Sequence, residues 1–215
     1  MPDLNELSLE QQHALHSAAV NLRREFDGTF GTETIEQFLQ TSYDQFASHA
    51  RVVAFLPLFA ERFARQRLRA LAKVEGKAID GRPIVLFLCV HNAGRSQIAL
   101  GWFNHLAGER AVAWSGGSEP GTEINPMAVK AMAEVGIDIT GEFPKPWTDE
   151  IVQAADVVVT MGCGDACPLF PGKRYEDWEL DDPSGQPLDA VRPIRDEIGR
   201  RVRALLAELD VPLSG

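Results

Sequence analysis

Apolar positions recur at helical spacing through the first third of the chain and then change to short unbroken runs. Leu15, Ala19, Leu22 and Phe26 share one helical face, opened by Ser8 and Gln11 as a capping box and stopped by Asp27-Gly28. A second helix is predicted with Thr34 and Gln37 capping it and Ile35, Phe38, Leu39 and Phe46 as its buried stripe. A third begins near Pro57, which suits a first helical turn, and sets Phe59, Phe63, Leu68 and Leu71 among Arg62, Arg65, Arg67 and Arg69. Those arginines read as a solvated face. Three helices with short links give a small bundle over residues 1–80.

Turn formers from Gly76 to Pro83 place a domain junction there. Beyond it, Ile84 to Leu88, Ala111 to Ser115, Val157 to Met161 and Arg174 to Glu179 read as strands. They alternate with helices over Ser96 to Leu106, after Asn125-Pro126 with Gly136 as the stop, over Thr148 to Ala155, and from about Val191 to Leu209. Unbroken apolar strands alternating with helices predict an α/β domain over residues 81–215, a four-stranded parallel sheet covered on both faces.

Composition narrows the chemistry. The net charge of −10 disfavours a phosphate backbone, so no nucleic-acid partner is expected and any anion site must be built from local donors. The start of the chain has acidic residues and no apolar signal core, and no run approaches the ~18 apolar residues that span a bilayer. A cytoplasmic protein without a membrane contact is expected. In that reducing compartment the three cysteines, Cys89, Cys163 and Cys167, suit catalysis or metal binding better than structural bridges. A structural zinc needs four ligands, and the fourth candidate, His91, lies inside a loop with another use, so no metal is expected.

That loop runs Cys89-Val90-His91-Asn92-Ala93-Gly94-Arg95-Ser96, between a buried strand and a helix. Such a turn gathers backbone N–H groups around one small space suited to an oxyanion. Ala93 and Gly94 let the backbone curl closely, and Arg95 adds a two-pronged grip on a tetrahedral anion. The helix N-terminus, Arg95 and a hydrogen bond from Ser96 all favour the thiolate of Cys89, the nucleophilic form. The expected anion-binding set is therefore Val90, His91, Asn92, Ala93, Gly94 and Arg95.

Residues 84–209 resemble the low-molecular-weight protein tyrosine phosphatase fold, and more closely its arsenate reductase branch. The matching pieces are Cys89-x5-Arg95-Ser96 with Asn92 inside, Val157 to Met161 before a cysteine pair, Cys167-Pro168, and Trp178-Glu179-Leu180-Asp181-Asp182-Pro183. The resemblance implies that Asp182, preceding proline, handles the proton of the leaving oxygen, with Asp181 as the neighbouring alternative. It also implies a relay in which Cys89 attacks arsenate, Cys163 attacks Cys89 and releases arsenite, and Cys167 closes a Cys163–Cys167 disulfide open to an external reductant. Hydrolysis has no use for that pair, whereas reducing arsenate requires two electrons from thiols. The short spacing of the pair resembles the actinobacterial type, which makes thioredoxin or mycothiol with mycoredoxin the implied reductant, with no bound cofactor. Phosphate or sulfate is expected to compete with arsenate. Leu100 stands where several reductases place a glutamate for a potassium ion, so that ion is not carried over. The alternative activity is that of a phosphatase of the same fold.

Overall fold

A computed structural model describes residues 7–47, 55–77, 81–162 and 169–214. The chain divides into two units, Met1–Ile79 and Asp80–Gly215.

In the first unit the capping box forms as the sequence predicts. Ser8 Oγ accepts from Gln11 N at 3.2 Å, and Gln11 Oε1 accepts from Ser8 N at 3.1 Å, at the head of α1 (Leu9–Glu25). Helix α2 (Thr32–Ala47) begins three residues earlier than a cap at Thr34 predicts: Ile35 N donates to Gly31 O, which puts Thr34 inside the first turn and not at the cap. Pro57 lies in the first turn of α3 (Leu56–Val74). Leu22, Phe26, Ile35, Leu39, Tyr43 and Leu68 bury together between the three helices. The solvated arginine face needs correction at Arg67, which is 9% exposed. Its Nη1 donates to Thr41 Oγ1 at 2.8 Å and Ser42 Oγ at 3.1 Å, and its guanidinium lies 4.6 Å from the Phe38 ring centre. Hydroxyl acceptors and a ring face replace the water that a buried cation loses. Arg65 and Arg69 instead converge on Glu25 from α1.

The second unit runs β1 (Ile84–Cys89), α4 (Arg95–Ala107), β2 (Val112–Gly117), α5 (Pro126–Ala133), α6 (Asp149–Ala154), β3 (Val157–Thr160), β4 (Arg174–Asp177) and α7 (Leu188–Glu208). All strands are parallel, in the order β2-β1-β3-β4, with Leu86 opposite both Trp114 and Val158. Because β1 is flanked by β2 and β3, the winding direction reverses beside it. Its carboxyl end, which is Cys89, sits at the switch point where open α/β sheets hold ligands.

Alternation along β1 sends Val85, Phe87 and Cys89 into the core made with Phe103 of α4, Met132 of α5 and Ile198 of α7. Leu86 and Leu88, also fully buried, alternate to the opposite face. Helix α7 starts three residues before the predicted Val191, which puts Pro193 in its second turn. Pro193, the sixth helical residue, removes one backbone donor and crowds the Asp189 carbonyl, a cost that the buried face of Val191, Ile194, Ile198, Val202 and Leu205 offsets. Strand β2 extends two residues beyond the predicted Ser115, through Gly116 and Gly117, and that extension matters for the site.

Candidate active site

The turn after β1 is held from outside by its carbonyl groups. Val90 O accepts from Glu119 N, His91 O from Gly121 N, Asn92 O from Gln97 Nε2, and Ala93 O from Asn125 N, at 2.8–2.9 Å. With the carbonyl oxygens engaged outward, the N–H groups of His91 to Arg95 have no backbone acceptor among the described residues. Gly94 caps α4 without a side chain, so the helix adds first-turn N–H groups at the same place. A ring of unengaged amides around a thiol is an oxyanion cradle.

Asn92 is the hub beneath the turn. It is fully buried and adopts φ +47°, a left-handed conformation that asparagine tolerates better than most residues. Its Oδ1 accepts from Lys145 N at 3.0 Å and Gln97 Nε2 at 3.1 Å, which leaves Nδ2 to donate to Ser96 Oγ at 2.9 Å. Cys89 Sγ lies 3.0 Å from the same Ser96 Oγ. Since an amide Nδ2 only donates, Ser96 Oγ receives there, and its own proton stays free to be given to the sulfur once Cys89 is a thiolate, which can only accept. The chain of donors therefore ends on Cys89, in the sense that stabilises a thiolate.

Close approaches reserve two positions for glycine. A Cβ at Gly117 would stand 2.5 Å from Val90 O and 2.9 Å from Asn92 N, both backbone atoms of the turn. Gly162, with φ +75°, lies against Arg95, where a Cβ would meet Nη1 at 2.8 Å. Arg95 is nearly buried, and its Nη2 donates to Asp182 Oδ2 at 2.8 Å. Asp182 Oδ1 accepts from Ser184 N at 2.9 Å.

A cleft of about 710 Å3 opens over this floor. Cys89, His91, Ala93, Gly94, Arg95 and Asp182 line it, so the structure brings these expected site residues together. Val90, Asn92 and Ser96 do not line it: Val90 is half-buried, and the other two brace the turn from below. His91 is exposed, with Nδ1 3.0 Å from Glu119 O; a carbonyl only accepts, so Nδ1 carries the proton. Asp181 borders a different groove, with Glu179, Pro193 and Glu197. Cys163 and Cys167 lie outside the described residues. The residues that lead to them reach the site, for Met161 N donates to Leu88 O at 2.8 Å and Gly162 touches Arg95.

Sequence reasoning missed Gln97, Lys145, Asn125, Gly117 and Gly162. Asn125 carried a signal as a helix cap, and Gly116-Gly117 at a strand end hinted at a close approach. Gln97 and Lys145 carried none, since they act on Asn92 through folded contacts alone.

Comparison with known proteins agrees with this construction. Residues 84–213 match the family model described as low molecular weight phosphotyrosine protein phosphatase, and residues 15–72 match one described as a protein-tyrosine-phosphatase-like N-terminal domain. A thioredoxin-dependent arsenate reductase from Corynebacterium glutamicum is 43% identical, with 93% of this chain and 98% of that one covered and a TM-score of 0.83. The arsenate reductase of Bacillus subtilis is 40% identical over 130 residues, covering 56% of this chain and 92% of its own. A tyrosine phosphatase from Erwinia amylovora, 16% identical with a TM-score of 0.54 over 61% of this chain and 97% of that one, shares the fold. The chain thus belongs to the low molecular weight phosphotyrosine protein phosphatase family, in its arsenate reductase branch.

Proposed function

We propose that the protein reduces arsenate to arsenite in the cytoplasm, for arsenic detoxification, with electrons from an external thiol reductant. The observation that carries this reading is the 3.0 Å contact between Ser96 Oγ and the sulfur of Cys89, at the centre of an oxyanion cradle. The tetrahedral anion sits among the amides of residues 90–95 under the guanidinium of Arg95. The Cys89 thiolate attacks arsenic, and one arsenate oxygen leaves as water with a proton from Asp182. Cys163 then attacks Cys89 Sγ; the electron pair of the sulfur–arsenic bond passes to arsenic, arsenite leaves, and a disulfide remains. Cys167 takes over Cys163 as its partner, and the external thiol restores both.

Two electrons enter arsenic and two thiols become one disulfide, so the step balances without a metal or bound cofactor. Asp182 is the acid in this scheme because Asp181 borders another groove. Phosphate and sulfate compete for the same amides. For the reductant, the thioredoxin dependence of the Corynebacterium relative favours thioredoxin; mycothiol with mycoredoxin is the second candidate. Among the described residues no helix is long and apolar enough to cross a membrane.

A second reading, hydrolysis of phosphate esters, is favoured by one observation. The cleft is larger than a four-oxygen anion needs and carries Ile124, Met127 and Pro187 on its walls, which suit the organic part of an ester. The deciding test is arsenate-dependent NADPH oxidation, run separately with thioredoxin and its reductase and with mycothiol and mycoredoxin, beside hydrolysis of an aryl phosphate. Turnover with either reductant is expected, lost in C89S and impaired in C163S. Rapid ester hydrolysis with no arsenate turnover in either system overturns the reductase reading.

A further inference from the structure

Asn125 holds three parts of the site at once. Its backbone N donates to Ala93 O of the anion turn at 2.9 Å. Its side-chain Oδ1 accepts from Met127 N at 2.8 Å and Ala128 N at 3.3 Å, capping α5. With the oxygen so fixed, Nδ2 must be the donor, and it meets Pro183 O at 3.0 Å. Pro183 follows Asp182 directly, and its ring lies where a Cβ on Gly94 would stand, 2.7 Å from Cγ. Pro183 is therefore held between the anion turn on one side and the Asn125 amide on the other. The carboxylate of Asp182 is exposed over half of its side-chain surface and is held by only two hydrogen bonds, from Arg95 Nη2 and from Ser184 N, so its place depends on where the Pro183 backbone stands.

We propose that Asn125 is a positioning residue for proton transfer: its amide sets the Asp182-Pro183 segment at the height over Cys89 from which Asp182 reaches the leaving oxygen. This rests on the reading of Asp182 as the acid. The cap and the clamp use opposite ends of one amide, and substitution separates them. N125D keeps an oxygen to cap α5, which a helix N-terminus favours, but turns a carboxylate oxygen towards the Pro183 carbonyl. N125S keeps a capping oxygen and has no second group to reach Pro183.

The test compares N125D, N125S and D182N in the full-length protein through kcat, KM, thermal melting, and the rate of Cys89 alkylation by iodoacetamide. Expected for N125S is a melting curve close to wild type and unchanged Cys89 alkylation, whereas N125D, whose new charge lines the anion cleft, also slows alkylation. In both, kcat falls about tenfold or more, a share of the roughly 10²–10⁴ that a positioned acid contributes, while KM moves little in N125S and rises in N125D, whose carboxylate repels the anion. An impaired D182N beside fully active N125D and N125S overturns the positioning role alone. A fully active D182N overturns the acid assignment and the proposal with it.

Discussion

Replacing Gly117 by alanine adds one methyl group where the anion turn has no room for it. The new Cβ would stand 2.5 Å from Val90 O and 2.9 Å from Asn92 N, and neither atom belongs to a side chain that can rotate away. Non-bonded heavy atoms settle near 3.5 Å, so the turn and the end of β2 must separate by roughly 1 Å. Gly117 is also the register partner of Cys89 and donates its N–H to Lys145 O at 3.0 Å, which ties the shift to the segment that braces Asn92. Overpacking of this kind destabilises by about 1–3 kcal/mol, which a folded domain survives. A displacement of that size at reacting groups costs about 100-fold in turnover.

The assay measures kcat/KM for arsenate with thioredoxin coupling, phosphate affinity by calorimetry, and thermal melting. G121A serves as the control, because its Cβ would line the same cleft at an ordinary 3.6 Å from His91 O. Expected is a G117A protein that folds, binds phosphate weakly and turns over about 100-fold more slowly, beside a near-normal G121A. G117A activity and phosphate affinity within threefold of wild type would refute the close-approach reasoning.

Removing the hydroxyl in S96A takes a donor from the Cys89 sulfur; hydrogen bonds to charged groups contribute about 1.5–3 kcal/mol, so iodoacetamide alkylation of Cys89 at pH 7 should slow about tenfold or more, read by mass spectrometry. In the N-terminal unit, R67K cannot reproduce the guanidinium fork on Thr41 and Ser42 or its stacking on Phe38, and should lower stability by about 1–2 kcal/mol in urea unfolding followed by helical signal. Burial pushes the Glu25 carboxyl up, but hydrogen bonds and charge from Arg65 and Arg69 outweigh it and hold the group below 4.5. The stability that Glu25 adds is therefore present above its unfolded value and lost as pH falls through the lower folded value. E25Q should cost about 0.5–1 kcal/mol at pH 7, allowing for solvent screening, and a smaller amount at pH 3, measured by the same unfolding method.

The central strands were readable because both faces are covered: Ile84 to Leu88 is apolar without interruption and Val157 to Met161 is broken only by Thr160, and a strand of that kind is recognised without knowledge of its neighbours. The anion turn was readable for a related reason, since Cys89, Gly94 and Arg95 belong to one continuous segment. What stayed hidden acts across sequence distance. Gln97 and Lys145 reach Asn92 from a helix and from a segment more than fifty residues on, and neither shows a pattern along the chain. Arg67 followed the helical period of exposed arginines, yet three groups on α2 gave it a buried setting that period alone does not reveal. Thr34 was misread because a threonine followed by a glutamine three residues on matches a capping box wherever it occurs, including inside a first turn.

The central claim is that this site moves two electrons from thiols to arsenic. The direct measurement is a single turnover: fully reduced protein is mixed with arsenate in the absence of any external thiol, then arsenite and remaining free thiols are counted per chain. One arsenite and the loss of two thiols per chain are predicted for the wild type, with neither in C89S. An unchanged thiol count with no arsenite, from protein that still binds phosphate, would contradict the account.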